Sequence, residues 1–354
     1  MIVKSSGTSQ NALFLIPEDA DDIFTLRRVI EKDDSIVADT SRVIKQVKEF
    51  GRPDRGERVK VRVSLRVEQS QLDAAVDRLR ISGTITETDN ELVSKGTGHS
   101  LSVQTGDKIV LDKGRRWQDY ELKMLNKSGT GGSFILVAID TQEAAVARVS
   151  GTHVKVIPNI YSGQSGKRYQ TKNNPSIDSF FGDIGKTVVS VYSENDTVLI
   201  FGPGETRRRF FNSLAAKSEL PKGAIRVVEG VDVAGEDGIF VFLRSAAMKE
   251  AMGASKLAAV SALIDQVMLM VNRGEAKYSM GLKEVSDAAG LKAIDSAVFS
   301  DSIFTTANED EVVKMLNAIE SYGARTFAVD SSTDIGLRVS SLGGIVAILR
   351  YAIR

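Results

Sequence analysis

The segment from Arg58 to Glu68 reads RVKVRVSLRVE. Val59, Val61, Val63, Leu65 and Val67 alternate there with Arg58, Lys60, Arg62, Ser64 and Arg66. In an extended chain a period of two puts the aliphatic side chains on one face and the cations on the other. The segment is a strand with one face for a core and the other for solvent or an anion. Just upstream, GRPDRGE adds Arg52 and Arg55 in a loop that its Gly and Pro keep irregular and exposed. The whole chain has 46 Lys and Arg against 46 Asp and Glu, a formal net charge of zero, so this basic density is local. Two readings stay open at this point: a cationic strip that meets nucleic-acid backbone, or a solvated face whose Lys and Arg keep an edge strand soluble.

A chain of 354 residues predicts two or three domains, because single cores stop growing well before that length. No apolar run reaches the ~18 to 20 residues that cross a bilayer, and MIVKSSGTSQ lacks the apolar segment of a signal peptide. The expectation is a cytoplasmic protein without membrane contact. There is no Cys, which removes disulfides, thiolate metal sites and a Cys nucleophile. Only His99 and His153 are present, leaving little material for a His-based zinc site or a Ser-His-Asp triad.

The first third predicts a small, strongly bent sheet or barrel. Strand-like segments at Ala12 to Ile16, Ser35 to Ile44, Arg58 to Glu68, Arg78 to Thr86, Ser100 to Val103 and Lys108 to Leu111 are separated by Gly-marked turns. A short helix is expected around Ile23, Leu26, Arg27 and Ile30, and another over Trp117 to Leu125. KSGTGGS, Lys127 to Ser133, reads as a linker. Beyond it, FILVAID and AAVARV are strand-like, and Ile177, Phe180, Phe181, Ile184, Val188 and Val191 repeat at helical spacing. Thr197 to Phe201 and Arg226 to Val231 read as strands flanking a helix that starts near Glu205. This alternation implies an α/β middle domain. After a soft boundary at Val233 to Arg244, a long helix carries Leu257, Val260, Leu263, Ile264, Val267, Met268 and Val271 on one face and stops at Gly274. Helices near Leu282 to Ala289 and Glu309 to Tyr322, with strands near Ala293 to Phe299, Thr326 to Val329 and in the final GGIVAILRYAIR, predict a compact α/β/α sandwich. The domain expectation is therefore 1–126, a linker at 127–133, then 134–240 and 241–354. Each domain closes its own core, so a monomer is expected.

Glu18, Asp19, Asp21 and Asp22 form the densest carboxylate cluster. Grouped oxygens suit Mg²⁺ or Mn²⁺, which with bound water can hydrolyse a phosphodiester. The same residues stand where a helix begins, and carboxylates there satisfy free N–H groups and the helix dipole. GPGETRRRF, Gly202 to Phe210, follows a strand and starts a helix, but it lacks the GK[ST] ending and the dinucleotide glycine spacing. Arg207, Arg208 and Arg209 read as an exposed helical charge run. SGQSGKR, with Lys167 and Arg168, offers a flexible cationic loop or a plain solvated one. Asp140 reads as a turn residue, and His99 as a hydrogen-bonding group within the barrel.

GERVKVRVSLRVE, LRISGTI, KGTGHSL and KGRRWQDYEL together resemble the first domain of the Pelota family, ribosome-rescue factors related to class-1 translation termination factors. FILVAID, GKR and GPG in the middle, and YSMGLKEVSDAAGLKAIDSAVFSD with LGGIVAILRY at the end, are similar to that family in the same order, so the resemblance spans essentially the whole chain. It implies a multidomain α/β protein with an Sm-like β-barrel N-terminal domain, a ribonuclease-H-like middle domain without a nuclease site, and an α/β/α C-terminal domain. It also implies entry into the vacant A site of a stalled ribosome with a translational GTPase of the elongation-factor 1-alpha type. Subunit separation by an ABC-type ATPase and mRNA surveillance (no-go decay) would follow, with no cofactor required for rescue.

On this resemblance Arg52, Arg55, Arg58, Lys60, Arg62 and Arg66 would contact ribosomal RNA or mRNA, and Lys167 and Arg168 of the flexible cationic loop are further RNA-binding candidates. The alternative it carries is a divalent-metal-dependent endoribonuclease, with Glu18, Asp21 and Asp22 as metal ligands and catalytic candidates. Termination factors bear Gly-Gly-Gln on a middle-domain loop. This chain has none, its nearest string being Ser162-Gly163-Gln164, so peptide release is not expected. Glu205 after GPG stands where the family usually has an aromatic residue.

Overall fold

The computed structural model describes residues 1–7, 9, 11–44, 57–73, 78–127, 132–163, 177–331 and 333–353. Arg52, Arg55, Lys167, Arg168 and residues 128–131 of the expected linker lie outside them. The chain forms two compact units. One comprises Met1–Thr130, Ser279–Ala328 and Gly343–Arg354, and the other Gly131–Tyr278 and Val329–Leu342.

The N-terminal part of the first unit is a seven-stranded antiparallel sheet. Its strands are β1 (Ile2–Ser5), β2 (Ala12–Ile16), β3 (Ser35–Ile44), β4 (Glu57–Leu72), β5 (Arg78–Thr88), β6 (Gly98–Gln104) and β7 (Ile109–Asp112). They run side by side in the order β1-β2-β7-β3-β4-β5-β6. Helix α1 (Ala20–Val29) joins β2 to β3, and α2 (Asp119–Lys127) follows β7. Along β4, Val61, Val63, Leu65 and Val67 are buried while Lys60, Arg62 and Arg66 are exposed. Each aliphatic side chain withdrawn from water contributes about 1.5–3 kcal/mol. A one-residue slip of β4 would bury the three cations instead, so the register is strongly specified. His99 on β6 lies 3.4 Å from Thr40 on β3 through Nε2 and Oγ1, which shows the sheet curling toward a barrel.

The second unit carries β8 (Phe134–Ile139), β9 (Glu143–Ser150), β10 (His153–Tyr161), α3 (Ile177–Val191), β11 (Thr197–Phe201), α4 (Thr206–Lys217) and β12 (Ile225–Val227). The sheet order is β10-β9-β8-β11-β12, with an antiparallel meander through β8 to β10 and parallel pairing of β8, β11 and β12. That is the ribonuclease-H-like order expected of the middle domain. All six residues of β8 are buried, as a central strand covered on both faces requires. On one face Ile135 and Val137 pack with Phe181, Ile184 and Phe210 of α3 and α4. On the other lies α5 (Gly235–Leu243), where Phe242 stacks on Phe201 with ring centroids 4.4 Å apart. Helix α5 occupies the stretch that the sequence reading left as a soft boundary. A β-carbon on Gly238 would overlap the Val233 carbonyl and sit 2.9 Å from the β-carbon of Ala138, so close packing against the preceding turn and the sheet, and not helix propensity, selects a glycine there. Then α6 (Ala246–Ala251) leads to α7 (Lys256–Arg273), which is capped by the Ser255 side chain and stopped at Gly274 with φ 67°.

The remaining elements are β13 (Tyr278–Met280), α8 (Leu282–Gly290), β14 (Ile294–Ser300), α9 (Ile303–Thr306), α10 (Glu309–Ser321), β15 (Arg325–Val329), α11 (Asp334–Ser341) and β16 (Ile345–Leu349). The four strands run β13-β16-β14-β15, with β14 and β16 antiparallel. Val285 and Ala288 of α8, with Val312, Leu316 and Ile319 of α10, pack against Ala297, Phe299, Ile345 and Ala347. Phe24 of α1 joins this cluster: its ring stacks on Phe304 at 5.5 Å and meets Phe299 edge-on at 6.3 Å. Among the described residues no helix is long and apolar enough to cross a membrane.

Candidate nucleic-acid interface

Strand β4 is the spine of the surface. In its pairing with β3, Lys60 lies opposite Ser41, Arg62 opposite Asp39 and Arg66 opposite Ser35. Among the described residues no side-chain partner holds Lys60, Arg62 or Arg66. Exposed cations not already paired on the protein can exchange their counterions for phosphates. Of Arg58 the structure describes only its place on β4, opposite Val43.

The cationic face continues onto β5 through Arg78 and Arg80, which the sequence reading did not single out. Both are exposed and alternate with the buried Leu79 and Ile81. The same period of two in RLRISGTI was the available signal. Arg80 Nε donates to Ser100 Oγ on β6 at 3.1 Å.

The acidic cluster is organised around a helix start. Asp19 caps α1, its Oδ1 accepting the Asp22 N–H at 2.9 Å. Asp22 is fully buried; its Oδ2 accepts the Glu18 N–H at 2.7 Å and lies 2.6 Å from the Met1 amine. Glu18 Oε2 reaches the same amine at 3.0 Å. Asp21 is buried in the first turn of α1, and its carbonyl accepts the Thr25 hydroxyl at 2.9 Å. These side chains serve a helix terminus and an ammonium group instead of converging on one point. Among the described residues no group of three or more His, Cys, Asp or Glu is arranged to hold a metal ion.

The expected exposed run of three arginines requires a correction. Arg208 and Arg209 are exposed, but the Arg207 side chain is only 12 % exposed. Its Nη1 donates to the Gly202 carbonyl at 2.6 Å and its Nη2 to Glu229 Oε2. Arg208 Nη2 donates to Glu229 Oε1 at 3.0 Å. The hydrogen bond from Arg208, assisted by the charge of Arg207, holds the Glu229 carboxyl below its ordinary range. Gly202 has φ 134°, and a β-carbon there would overlap the Ile139 carbonyl. GPG is thus a close backbone approach beside β8, and Arg207 braces it.

Asp140 is a turn residue, its Oδ1 accepting the N–H groups of Gln142 at 2.7 Å and Glu143 at 2.8 Å. Of the loop from Ser162 to Arg168 only Ser162 and Gly163 are described, and the Ser162 N–H donates to the Gln142 carbonyl at 2.7 Å.

A curled antiparallel sheet with a cationic face, a ribonuclease-H-like sheet and a C-terminal α/β layer are the parts of a multidomain factor related to translation termination factors. Residues 2–129 match the family model described as the Pelota N-terminal domain, and residues 257–353 match eRF1 domain 3. A protein pelota homolog from Nitrosopumilus maritimus is 47 % identical over 353 residues, covering 100 % of this chain and 99 % of the relative. Another from Cenarchaeum symbiosum is 44 % identical over 337 residues, covering 95 % and 96 %. The crystal structure of the Thermoplasma acidophilum Pelota protein superposes with a TM-score of 0.64 over 100 % of both chains at 21 % identity, a likeness of fold. The chain belongs to the Pelota family.

Proposed function

We propose that this chain is a cytoplasmic ribosome-rescue and mRNA-surveillance factor. It enters the A site of stalled ribosomes with an elongation-factor 1-alpha-type GTPase, and subunit dissociation follows with an ABC-type ATPase. The observation that carries this reading is the 47 % identity to a pelota homolog along the whole chain. The absence of Gly-Gly-Gln supports rescue without peptide release. GTP and ATP are hydrolysed by the partners, and the factor acts as a monomer through shape and charge.

The β4 cations Lys60, Arg62 and Arg66 contact RNA backbone on this reading, joined by Arg52, Arg55, Arg58, Lys167 and Arg168. Phosphate contacts position a protein without reading sequence, which suits a factor that must act on any stalled message. The division into an RNA-binding domain at 1–126, a linker at 127–133, a middle domain at 134–240 and a C-terminal domain at 241–354 is part of the same proposal. The endoribonuclease alternative is not favoured, because Asp22 is committed to the Met1 amine and the Glu18 N–H.

The test is sedimentation of stalled ribosomes carrying labelled peptidyl-tRNA after adding this protein with its GTPase and ATPase partners. Separated subunits with peptidyl-tRNA intact are expected. Joined ribosomes with freed peptide would overturn the reading in favour of a termination factor.

A further inference from the structure

Strands β4 and β5 fall out of step twice, once on each side of Arg66. The register passes from Ser64 opposite Glu87 to Leu65 opposite Ile85, leaving Thr86 as an extra residue on β5. It then passes from Val67 opposite Gly83 to Gln69 opposite Ser82, leaving Glu68 extra on β4. Bulges bend a strand and re-aim its side chains. Here two of them bracket one exposed arginine. Gly83 permits the arrangement, since a β-carbon there would overlap the Arg66 carbonyl.

Each extra residue is tied by a hydroxyl. Thr86 Oγ1 lies 3.1 Å from the Ser64 carbonyl oxygen and 3.0 Å from Ser64 Oγ, and Ser35 Oγ lies 3.2 Å from the same Ser64 hydroxyl. Thr84, opposite Arg66, donates its hydroxyl to Glu68 Oε1 at 2.5 Å. Two consequences follow for the outer face. A row of hydroxyls crosses three strands between Arg62 and Arg66, which stand roughly 13 Å apart at about 3.3 Å per residue. Glu68, the carboxylate two residues beyond Arg66 on the same strand, is bound to β5 and does not neutralise the guanidinium.

We infer that the paired bulges make Arg66 a phosphate-binding residue for the backbone of single-stranded RNA, with Thr84 and Thr86 as positioning residues. The hydroxyl row between the two guanidiniums offers donors and acceptors to a ribose 2′-hydroxyl. This rests on the proposal that the β4 face binds RNA. Thr84 keeps Glu68 away from Arg66, and Thr86 pins the bulge of β5 beside Ser64, between the two guanidiniums.

The experiment is fluorescence anisotropy of a labelled 20-nucleotide oligouridine with the full chain, titrated over a range of salt concentrations. Each phosphate neutralised on a single strand contributes about 0.7 to the slope of log affinity against log salt. Arg66→Gln is expected to reduce that slope by about 0.7. The double variant Thr84→Val, Thr86→Val is expected to show the same loss with Arg66 intact, and no further loss when Arg66→Gln is added. Thr84→Ser with Thr86→Ser keeps both hydroxyls and should retain the full slope, which separates positioning from general loss of fold. A wild-type slope in the Val double variant, while Arg62→Gln still lowers it, would overturn the bulge assignment and leave the RNA surface standing. If neither Arg62→Gln nor Arg66→Gln changes the slope, the surface and the assignment fall together.

Discussion

Arg28 and Asn317 hold each other from both ends: Arg28 Nε donates to Asn317 Oδ1 at 3.0 Å, and Asn317 Nδ2 donates back to the Arg28 carbonyl at 2.8 Å. The pair ties α1 to α10 across 289 residues of sequence. Arg28 also donates to Thr326 Oγ1 at 2.9 Å and to the Leu316 carbonyl at 3.0 Å. Burial pushes the Arg28 guanidinium below its ordinary value, and the charge of Glu320 opposes that shift. Asn317→Ala removes the partner of the Nε–H and of the carbonyl of Arg28, a buried residue. It is expected to cost about 1–3 kcal/mol in urea unfolding, and a change within 0.3 kcal/mol would show the pair to be incidental.

Phe24 places an α1 ring between Phe299 and Phe304. Phe24→Ala is expected to destabilise by roughly 3–5 kcal/mol through the cavity it leaves. Because the ring belongs to the C-terminal cluster, faster amide exchange should appear in β14 and α9 as well as in α1. Faster exchange confined to α1 would contradict the packing described.

Lys113 is buried and donates through Nζ to Glu31 and Asp34, each at 2.9 Å, and to the Val29 carbonyl at 2.7 Å. Burial acts to raise both carboxyls. In Glu31 the hydrogen bonds from Arg115 and Lys113 outweigh burial, and its pKa falls below the ordinary 4.5. In Asp34 burial wins, and its pKa rises above the ordinary 3.8. The two groups have opposite signs in linkage. The contribution of Glu31 is present above pH 4.5 and is lost as pH falls through its lowered value, whereas that of Asp34 is present below pH 3.8 and is lost as pH rises through its raised value. Glu31→Gln should therefore flatten the acid limb of a stability curve below pH 4.5, and Asp34→Asn should gain on the parent chain as pH rises from that region. Parallel curves for the parent chain and Glu31→Gln would count against the network.

Arg207 braces GPG through the Gly202 carbonyl. Gly202→Ala is expected to be severe, because the new β-carbon meets backbone at Ile139 that cannot move aside. Arg209→Ala on the exposed face should lie within about 0.5 kcal/mol of the parent chain. Thermal melts of both distinguish a structural turn from a tolerant loop.

The period-two strands and the period-3.6 helices were legible where one face is buried and the other wet. β4 with Val61 to Val67 and α7 with Leu257 to Val267 are the plain cases. What escaped was structure set by tertiary packing. Helix α5 contains two glycines and exposes Val241, and its place depends on Gly238 lying against Ala138. Strand β10 has Pro158 in a bulge and mixed burial, which blurs any alternation. For the surface, Lys60, Arg62 and Arg66 were readable from their spacing. The bulges around Arg66 were not, because a hydroxyl on a neighbouring strand carries no mark in one-dimensional order. The acidic cluster admitted two readings in sequence, metal ligands or helix-start carboxylates, and the second is the one the structure bears out: Asp19 caps α1 and Asp22 lies against an amine.

Helix α1 serves two cores, giving Ile23 and Leu26 to the N-terminal sheet and Phe24 to the C-terminal cluster. Synthesis runs from one end at about 5–20 residues per second. The 289 residues separating Arg28 from Asn317 therefore take on the order of 15–60 s to appear. For that interval the nascent chain carries an aromatic ring and two adjacent arginines on the outside of an otherwise complete sheet, a face that only the last quarter of the protein can cover.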